Sequence, residues 1–199
     1  MKSTKDFFNS HADKWDEINI YKESPENFRK VVSRLKIGSA SSVVDLGCGT
    51  GVFIPYLLEV VGDEGRVYAV DSSDKMIEKV KEKFNVKNVV PVVGDAENLS
   101  IVCNNIDAVL CFSVFPHFDD RKRAVAEIAK VLKPKGRLVI AHFSSRDEIN
   151  AFHASLEPPI CNHYLPDDKE LAPILSKNGM VLSHYDNKPG RYELVAYKN

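Results

Sequence analysis

The stretch VVDLGCGTG, residues 43–51, decides the fold of this chain. An apolar run ends in Asp45, and a pattern of apolar residues at helical spacing begins after residue 51. Between them stand three glycines at every second position: Gly47, Gly49 and Gly51. This order predicts a strand, a tight turn and the start of a helix. Ligands of open α/β sheets bind outside such strand ends, and glycine lets the backbone approach them closely. The stretch therefore indicates a nucleotide-like ligand, although an ordinary strand-to-helix turn is the competing interpretation.

The composition is that of a soluble globular protein of one domain. The 199 residues are 44% hydrophobic and 28% charged, and the net charge is -1. Such a balance gives no electrostatic reason to expect nucleic acid as a partner. Residues 1–6 lack the apolar core of a signal peptide, and no apolar run reaches the ~20 residues of a membrane span. The four cysteines form no CxxC pair. We therefore expect a cytoplasmic protein without a membrane anchor.

Strand and helix patterns alternate along most of the chain. Strands are predicted at 42–46, 67–70, 89–93, 106–112 and 137–143, with helices between them. Pro91 in the third strand removes a ladder donor, which predicts an edge strand or a bulge. Strands at 180–187 and 191–198 are joined by a Lys-Pro-Gly turn and predict an antiparallel pair. The pattern is typical of an α/β fold with a mainly parallel sheet.

The ends of the second and third predicted strands also carry an acid. Asp71 follows Gly51 by twenty residues, where a carboxylate can accept hydrogen bonds from both hydroxyls of a ribose. The simpler interpretation of Asp71 is that it caps the next helix. Asp95, in the sequence Gly-Asp-Ala, can accept from an exocyclic amine such as that of adenine, and the N–H of Ala96 could reach a ring nitrogen. Glycine and aspartate are common in turns, so Asp95 alone is weak evidence for a ligand. The evidence depends on Asp95 being the third strand-end acid in succession.

The glycine spacing argues against a dinucleotide such as NAD. The dinucleotide fingerprint is Gly-x-Gly-x-x-Gly, which brings a helix N-terminus to the pyrophosphate. Here Val52 stands where the third glycine belongs, and Asp45 precedes the loop. A carboxylate repels a pyrophosphate but suits a cationic ligand with an amino group. A nicotinamide-dependent oxidoreductase and a non-catalytic cofactor-binding module stay open as alternatives.

Several motifs stand at matched spacing along the chain. They are Val43–Gly51, Asp71, Gly94–Ala96, Asp107–Cys111 and Leu132–Leu138, the last with Lys135 in place of a glycine. Together they resemble the motifs of class I S-adenosylmethionine-dependent methyltransferases. The opening Phe8–Asp16 is similar to that of small-molecule enzymes near the quinone-methylating branch. The resemblance implies a Rossmann-like, doubly wound sheet of seven strands whose last strand is antiparallel. It also implies methyl transfer from S-adenosylmethionine to a small-molecule acceptor by in-line displacement.

The resemblance further implies which residues bind this cofactor. The glycines would approach its methionine part, with Asp45 near the amino end. Asp71 would hold the ribose, Met76 would pack near the adenosyl group, and the residues after the third strand would meet the adenine. The expected cofactor-binding set is Trp15, Asp45, Gly47, Gly49, Gly51, Asp71, Ser72, Met76, Asp95, Ala96 and Phe112.

Histidines at the predicted crevice are candidates for the acceptor site. His117 follows the fourth strand, His142 ends the fifth, and His153 shares a helix face with Asn150. A role as base or in orienting the acceptor suits histidine, whose charge changes near neutral pH. Hydrogen-bonded structural residues are the plainer interpretation of each.

Two other site types are weaker candidates. The Asn-Pro-Pro-Tyr motif of amino-methylating nucleic-acid enzymes is absent after the fourth strand, which favours a small molecule. His142, His153, Cys161 and His163 could form a metal set, but only the last two are closely spaced. We expect no metal.

We expect one domain over residues 1–199. Residues 1–38 would form a helical cap, with a first helix at 4–18 and a second beginning at Ser24-Pro25. The first helix either packs on the domain or covers the ligand as a lid. Residues 42–143 would form the cofactor-binding core, and residues 144–199 the substrate-side helices and the hairpin.

Overall fold

A β-sheet forms the middle layer of the molecule. The computed structural model describes residues 3–17, 23–101 and 103–199. The strands in this part of the chain are β1 (Ser42–Leu46), β2 (Arg66–Asp71), β3 (Val89–Val93), β4 (Ile106–Phe112), β5 (Leu132–His142), β6 (Met180–Lys188) and β7 (Arg191–Lys198). They form a seven-stranded sheet in the order β3-β2-β1-β4-β5-β7-β6. Strands β1 to β5 are parallel, and β7 runs antiparallel to both β5 and β6. The predicted fold class, with its antiparallel last strand, is confirmed.

Helices cover both faces of the sheet. They are α1 (Thr4–His11), α2 (Pro25–Arg34), α3 (Ile54–Val61), α4 (Asp74–Lys83), α5 (Arg121–Val131), α6 (Arg146–Ala154) and α7 (Asp168–Lys177). Alternate residues of the inner strands enter two separate hydrophobic clusters: Val43 and Leu110 meet α2, α3 and α4, whereas Val44 and Val109 meet α5 and α7. This alternation follows from the two-residue period of a strand. The sheet is therefore doubly wound, as predicted.

The edges of the sheet agree with the turn and proline signals. Strand β3, which contains Pro91, lies at one edge, where a missing ladder donor costs nothing. The predicted edge strand is confirmed. Strand β5 begins at Leu132, five residues before its predicted start, and its pairing with β4 shifts register between Ile106 and Ala108. Lys135, which replaces a glycine, has φ +67° in this irregular part.

The predicted helix over residues 4–18 is too long. Helix α1 ends at His11, a 3₁₀ turn follows at Ala12–Lys14, and residue 18 lies outside the described residues. The hydroxyl of Ser10 and Nδ1 of His11 each lie 2.8 Å from the carbonyl oxygen of Phe7. Side chains that bond to the helix backbone in this way compete with its continuation. The bend directs Trp15 towards the glycine loop. Of the helices described, none is both long and apolar enough to cross a membrane.

Candidate active site

The carboxyl ends of the first four strands border a cavity of about 230 Å³. Asp45, Asp71 and Asp95 follow three neighbouring strands and all line it. Parallel neighbours end at the same edge, so three strand-end acids must lie close together. Nearly all of the predicted cofactor-binding residues line the cavity: Trp15, Asp45, Gly47, Gly49, Asp71, Ser72, Met76, Asp95, Ala96 and Phe112.

Asp45 is a buried acid with an unsatisfied oxygen. Its side chain is 2% exposed, and Oδ2 has no hydrogen-bond partner among the described residues. Burial, with a smaller contribution from the charge of Asp71, raises the pKa of Asp45 to about 7. A buried polar oxygen without a partner is costly to the fold. A cationic group in the cavity would supply the missing partner.

Asp71 ties the glycine loop to the end of β2. Its Oδ2 accepts a hydrogen bond from the N–H of Gly49, and its Oδ1 accepts one from the N–H of Ser73, both at 2.9 Å. Burial raises the pKa of Asp71, and these two backbone donors oppose the rise. The hydroxyl of Ser73 caps α4 by accepting a hydrogen bond from the N–H of Met76.

The glycine loop passes through space where a side chain would not fit. A Cβ at Gly47, which has φ +72°, would lie 2.1 Å from Cγ2 of Val114. Gly49 has φ +54°, and a Cβ there would lie 3.3 Å from Nε1 of Trp15. Only glycine adopts these dihedrals without strain. The loop therefore runs closely between the end of β4 and the N-terminal segment.

Gly51 is not among the residues that line the cavity, and its predicted cofactor contact stays a prediction. A Cβ at Gly51 would lie 2.7 Å from atoms of both Ile54 and Phe84. The residue is glycine because the loop packs against the helices behind it and because its φ is +92°.

The N-terminal segment, residues 3–17, covers the cavity. Phe8 and Trp15 line it and pack edge to face, with ring centroids 5.5 Å apart. Polar contacts hold the segment down: Lys5 and Asn9 on Asp74, Asp13 on Lys79, and Asp16 on both Lys83 and the hydroxyl of Thr50. Of the two interpretations of this segment, its position favours the lid.

Glu97 is a cavity residue that the sequence interpretation missed. Burial, followed by a hydrogen bond to Asp95, raises the pKa of Glu97 to about 7, while the same bond lowers the pKa of Asp95. Oε1 of Glu97 also accepts from the N–H of Asp120 at 3.0 Å. The two carboxyl groups thus influence each other's protonation at the end of β3. The signal was an acid two positions after Asp95.

Four histidines, which we call the histidine cluster (His117, His142, His153 and His163), lie beside the cavity. His117 lines it, and its Nδ1 is 2.8 Å from Nδ1 of His163. The ring of His153 lies 5.0 Å from that of His117 but does not line the cavity, and its Nδ1 hydrogen-bonds to the carbonyl oxygen of His163.

His142 is not among the residues that line the cavity either, and its predicted place in the acceptor site stays a prediction. It is 3% exposed, and neither ring nitrogen has a hydrogen-bond partner in the described part of the chain. Burial lowers the pKa of His142 to about 3. Throughout the ranges that the structure describes, no group of three or more His, Cys, Asp and Glu side chains is arranged to hold a metal ion.

Comparison with known proteins identifies the family. The model of the methyltransferase domain matches residues 44–140, which span the glycine loop and the three strand-end acids. A demethylmenaquinone methyltransferase of Staphylococcus epidermidis is 34% identical over 136 residues, 66% of this chain and 56% of that protein. Residues 44–140 belong to the family of class I S-adenosylmethionine-dependent methyltransferase domains. The predicted family and its cofactor, S-adenosylmethionine, are confirmed, which favours methyl transfer over the nicotinamide-dependent alternative.

Solved structures share the fold of this methyltransferase over nearly its whole length. A putative methyltransferase of Haloferax volcanii, solved in complex with the Trm112 methyltransferase activator, has a TM-score of 0.82 at 17% identity, with 99% of this chain and 98% of that chain covered. Magnesium protoporphyrin IX methyltransferase of Synechocystis, with bound S-adenosylhomocysteine, has a TM-score of 0.70 at 20% identity and 98% coverage of both chains. At such identities the likeness shows the fold alone. The chain spans about half the length of the curated relatives it matches.

Proposed function

We propose that this methyltransferase transfers the methyl group of S-adenosylmethionine to a small-molecule acceptor. The observation that carries the proposal is the convergence of three strand-end acids, Asp45, Asp71 and Asp95, on one covered cavity. S-adenosylmethionine, when bound, would supply a methyl group on a sulfonium centre for in-line displacement by the acceptor. Alignment of donor and acceptor can supply ~7–11 kcal/mol of the barrier, so a covalent catalyst is not needed.

The methionine part of the cofactor fits the wall formed by β1 and its loop. The unpaired, buried Oδ2 of Asp45 suits the cationic amino group. Gly47 and Gly49 leave room for the cofactor to contact the backbone, and Trp15 packs against the loop at the cavity. We assign no ligand contact to Gly51.

The nucleoside part fits the ends of β2 and β3. Each carboxylate oxygen of Asp71 accepts one backbone hydrogen bond and keeps a further lone pair for a ribose hydroxyl. Asp95 and Ala96 suit the adenine edge, and Ser72, Met76 and Phe112 complete the wall. Glu97 adds a second carboxyl group beside Asp95.

The acceptor fits the remaining wall, beyond β4. Ser113, in the left-handed conformation at φ +53°, is followed there by Val114, His117 and Phe118, and Phe8 faces them from the lid. Left-handed backbone at a residue other than glycine is typical of functional sites. A covered, mostly apolar pocket suits a small acceptor, and one relative is named as a demethylmenaquinone methyltransferase. We propose His117 as the base or orienting residue, and we keep the cytoplasmic location as a proposal.

Replacement of Asp71 by alanine tests the cofactor site. We expect Asp71→Ala to weaken the binding of S-adenosylhomocysteine about tenfold or more, because a charge-assisted hydrogen bond is worth ~1.5–3 kcal/mol. Isothermal titration calorimetry measures the affinity, and circular dichroism verifies that the variant folds. Asp63→Ala, in the exposed turn before β2, removes the same charge and should bind like the wild type. Unchanged affinity in Asp71→Ala would overturn the assignment.

A turnover screen tests the activity itself. Thiols, phenols, quinols and amines would be offered with S-adenosylmethionine, and the formation of S-adenosylhomocysteine would be measured. Binding without turnover across the panel would instead support the non-catalytic module. Stabilisation by NADH but not by S-adenosylhomocysteine in a thermal-shift assay would support the oxidoreductase, because only a bound ligand raises the melting temperature.

A further inference from the structure

His117 and His163 are joined through the same atom of each ring. Their Nδ1 atoms lie 2.8 Å apart, so one must carry a hydrogen and donate it to the other. His163 lies just after the 3₁₀ turn at Ile160–Asn162, forty-six residues along the chain from His117. Since Nδ1 of His117 is occupied, Nε2 is the ring nitrogen left for a molecule in the cavity.

The surroundings fix this pair in place. Nδ1 of His153 donates to the carbonyl oxygen of His163 at 3.0 Å, which holds the loop that carries His163 against α6. Phe8 of the lid packs edge-on to the ring of His117, with centroids 5.2 Å apart. The ring therefore has a packed neighbour on the lid side and a hydrogen-bonded neighbour on the other.

Burial, with a smaller contribution from neighbouring rings, disfavours protonation of the pair. His117 faces His142, His153 and His163, and burial followed by the repulsion of these rings lowers its pKa. His163 faces His153, Asp119 and Arg121, and its pKa is lowered mainly by burial. A neutral imidazole offers one lone pair, and the hydrogen bond at one nitrogen decides where it lies.

We propose that His163 is a positioning residue that holds His117 as the proton acceptor of the methyl transfer, and that the methylated group is consequently a hydroxyl or an acidic C–H. This inference rests on the proposed function. His117 donates its Nδ1 hydrogen to Nδ1 of His163, and the lone pair of Nε2 then faces the cavity. An acceptor that is already anionic, such as a thiolate, has no proton to lose and does not need the pair.

The proton balance is complete without a further reactant. The acceptor's O–H or C–H electron pair forms the new bond to the methyl carbon, and its proton moves to Nε2 of His117. The electron pair of the broken C–S bond leaves with sulfur, so the positive charge passes from the sulfonium to the histidine pair. The hydrogen between the two Nδ1 atoms lets both rings share that charge, and half-buried His163 releases a proton to water.

An NMR titration tests the pair independently of activity. In full-length protein labelled with ¹⁵N-histidine, the wild type should show ring-nitrogen signals of His117 and His163 that move together with pH. His163→Phe keeps an aromatic ring but removes its nitrogens, so His117 should lose this coupling and titrate in a single step with a different midpoint. A titration of His117 that is identical in wild type and variant would overturn the proposal.

Kinetics test the consequence for the acceptor. We use 2-naphthol as the hydroxyl probe and 4-nitrobenzenethiolate as the anionic probe. His163→Phe should slow methylation of the naphthol about tenfold or more, within the range that general-base catalysis supplies. Methylation of the thiolate should change by less than about twofold, because no proton is removed from it. His163→Asn, whose side-chain oxygen can accept the Nδ1 hydrogen, should restore part of the naphthol rate.

Controls separate this inference from the proposed function. Asn162→Gln, at the exposed neighbour in the same turn, should leave both rates unchanged. Equal slowing of naphthol and thiolate in His163→Phe would overturn the positioning role, as would a failure of His163→Asn to recover any rate. If neither probe is methylated while S-adenosylhomocysteine binds, the proposed activity on these acceptors fails and the NMR titration alone decides on the pair.

Discussion

Asp45 has two properties that act against each other. Its carboxyl group is buried with an unpaired oxygen, which destabilises the ligand-free protein, and the same oxygen is the proposed partner of a cationic ligand. Residues of this kind lower the stability of the ligand-free protein but contribute to ligand binding. The pKa of Asp45, raised from 3.8 to about 7, makes both effects depend on pH.

We expect Asp45→Asn to raise the melting temperature of the ligand-free protein at pH 8 by a few degrees. In the unfolded chain Asp45 ionises near its usual pKa, whereas in the folded protein it stays protonated up to about pH 7. The folded state therefore binds the extra proton, and wild-type stability falls relative to the variant as pH rises from about 4 to 7. Calorimetry at pH 4 and pH 8 measures this: the difference between the two proteins should be small at the lower pH.

The same substitution should weaken ligand binding and should remove its dependence on pH. Ionised Asp45 is the form that attracts a cation, so the affinity of the wild type for S-adenosylhomocysteine should rise about tenfold between pH 6 and pH 8. The affinity of Asp45→Asn should be lower and should lack this rise. If the variant shows the wild-type pH dependence, the rise has another source and Asp45 does not face the amino group.

Single residues were predictable where a strand end alone decides their place. Asp45, Asp71 and Asp95 reach one cavity because their strands are parallel neighbours. That His117 lines the cavity and His142 does not could not be predicted, because both lie at or shortly after a strand end and only the packed structure distinguishes them. His163 reaches the site through a turn-rich stretch whose path has no periodic signal.

Elements were predicted well where apolar period and turn residues agree. The predicted and observed bounds of β1, β3 and β4 are identical. Helix α1 was predicted too long because an apolar pattern does not reveal that the side chains of Ser10 and His11 bond to the backbone. The bend after His11 matters for function, because it places Trp15 against the glycine loop and so lets the N-terminal segment cover the cavity.

At the level of this element, Asp16 is the residue whose loss should open the lid. Its Oδ1 accepts from the hydroxyl of Thr50 at 2.6 Å and its Oδ2 is paired with Lys83. Exposed contacts of this kind are worth little individually, so we expect Asp16→Ala to speed the dissociation of S-adenosylhomocysteine by about threefold to tenfold. Trp15 is the only tryptophan of the chain, so stopped-flow fluorescence reports on the lid directly.

Glu17→Ala provides the matched control for the lid. It removes the same charge from an exposed neighbour and should leave the dissociation rate near that of the wild type. Salt should speed dissociation from the wild type more than from Asp16→Ala, because it screens the pair with Lys83. Equal rates in wild type and Asp16→Ala would mean that the segment does not govern exit from the cavity.

For the molecule as a whole, the sheet joins two cores that share no helix. Leu110 of β4 lies in the cluster under α2, α3 and α4, and Leu194 of β7 lies in the cluster under α5 and α7. The hairpin β6–β7 could be predicted from its turn, but its pairing through β7 with β5 depends on register partners fifty to sixty residues away. Such long-range pairing leaves no local signal in the sequence.

We propose that residues 1–199 unfold as one domain, because β7 pairs with β5 along six register partners and so joins the C-terminal region to the cofactor core. Leu110→Ala and Leu194→Ala, both at fully buried positions, should each cost about 2–5 kcal/mol. Each should shift a single transition, at the same midpoint by Trp15 fluorescence and by far-ultraviolet circular dichroism. Val181→Ala, on the edge strand β6 and 36% exposed, should shift it far less.

If Leu194→Ala instead splits off a first transition that Trp15 does not sense, residues 144–199 form a separate unit. The histidine pair would then bridge two units, because His117 lies in the core and His163 lies in the C-terminal region.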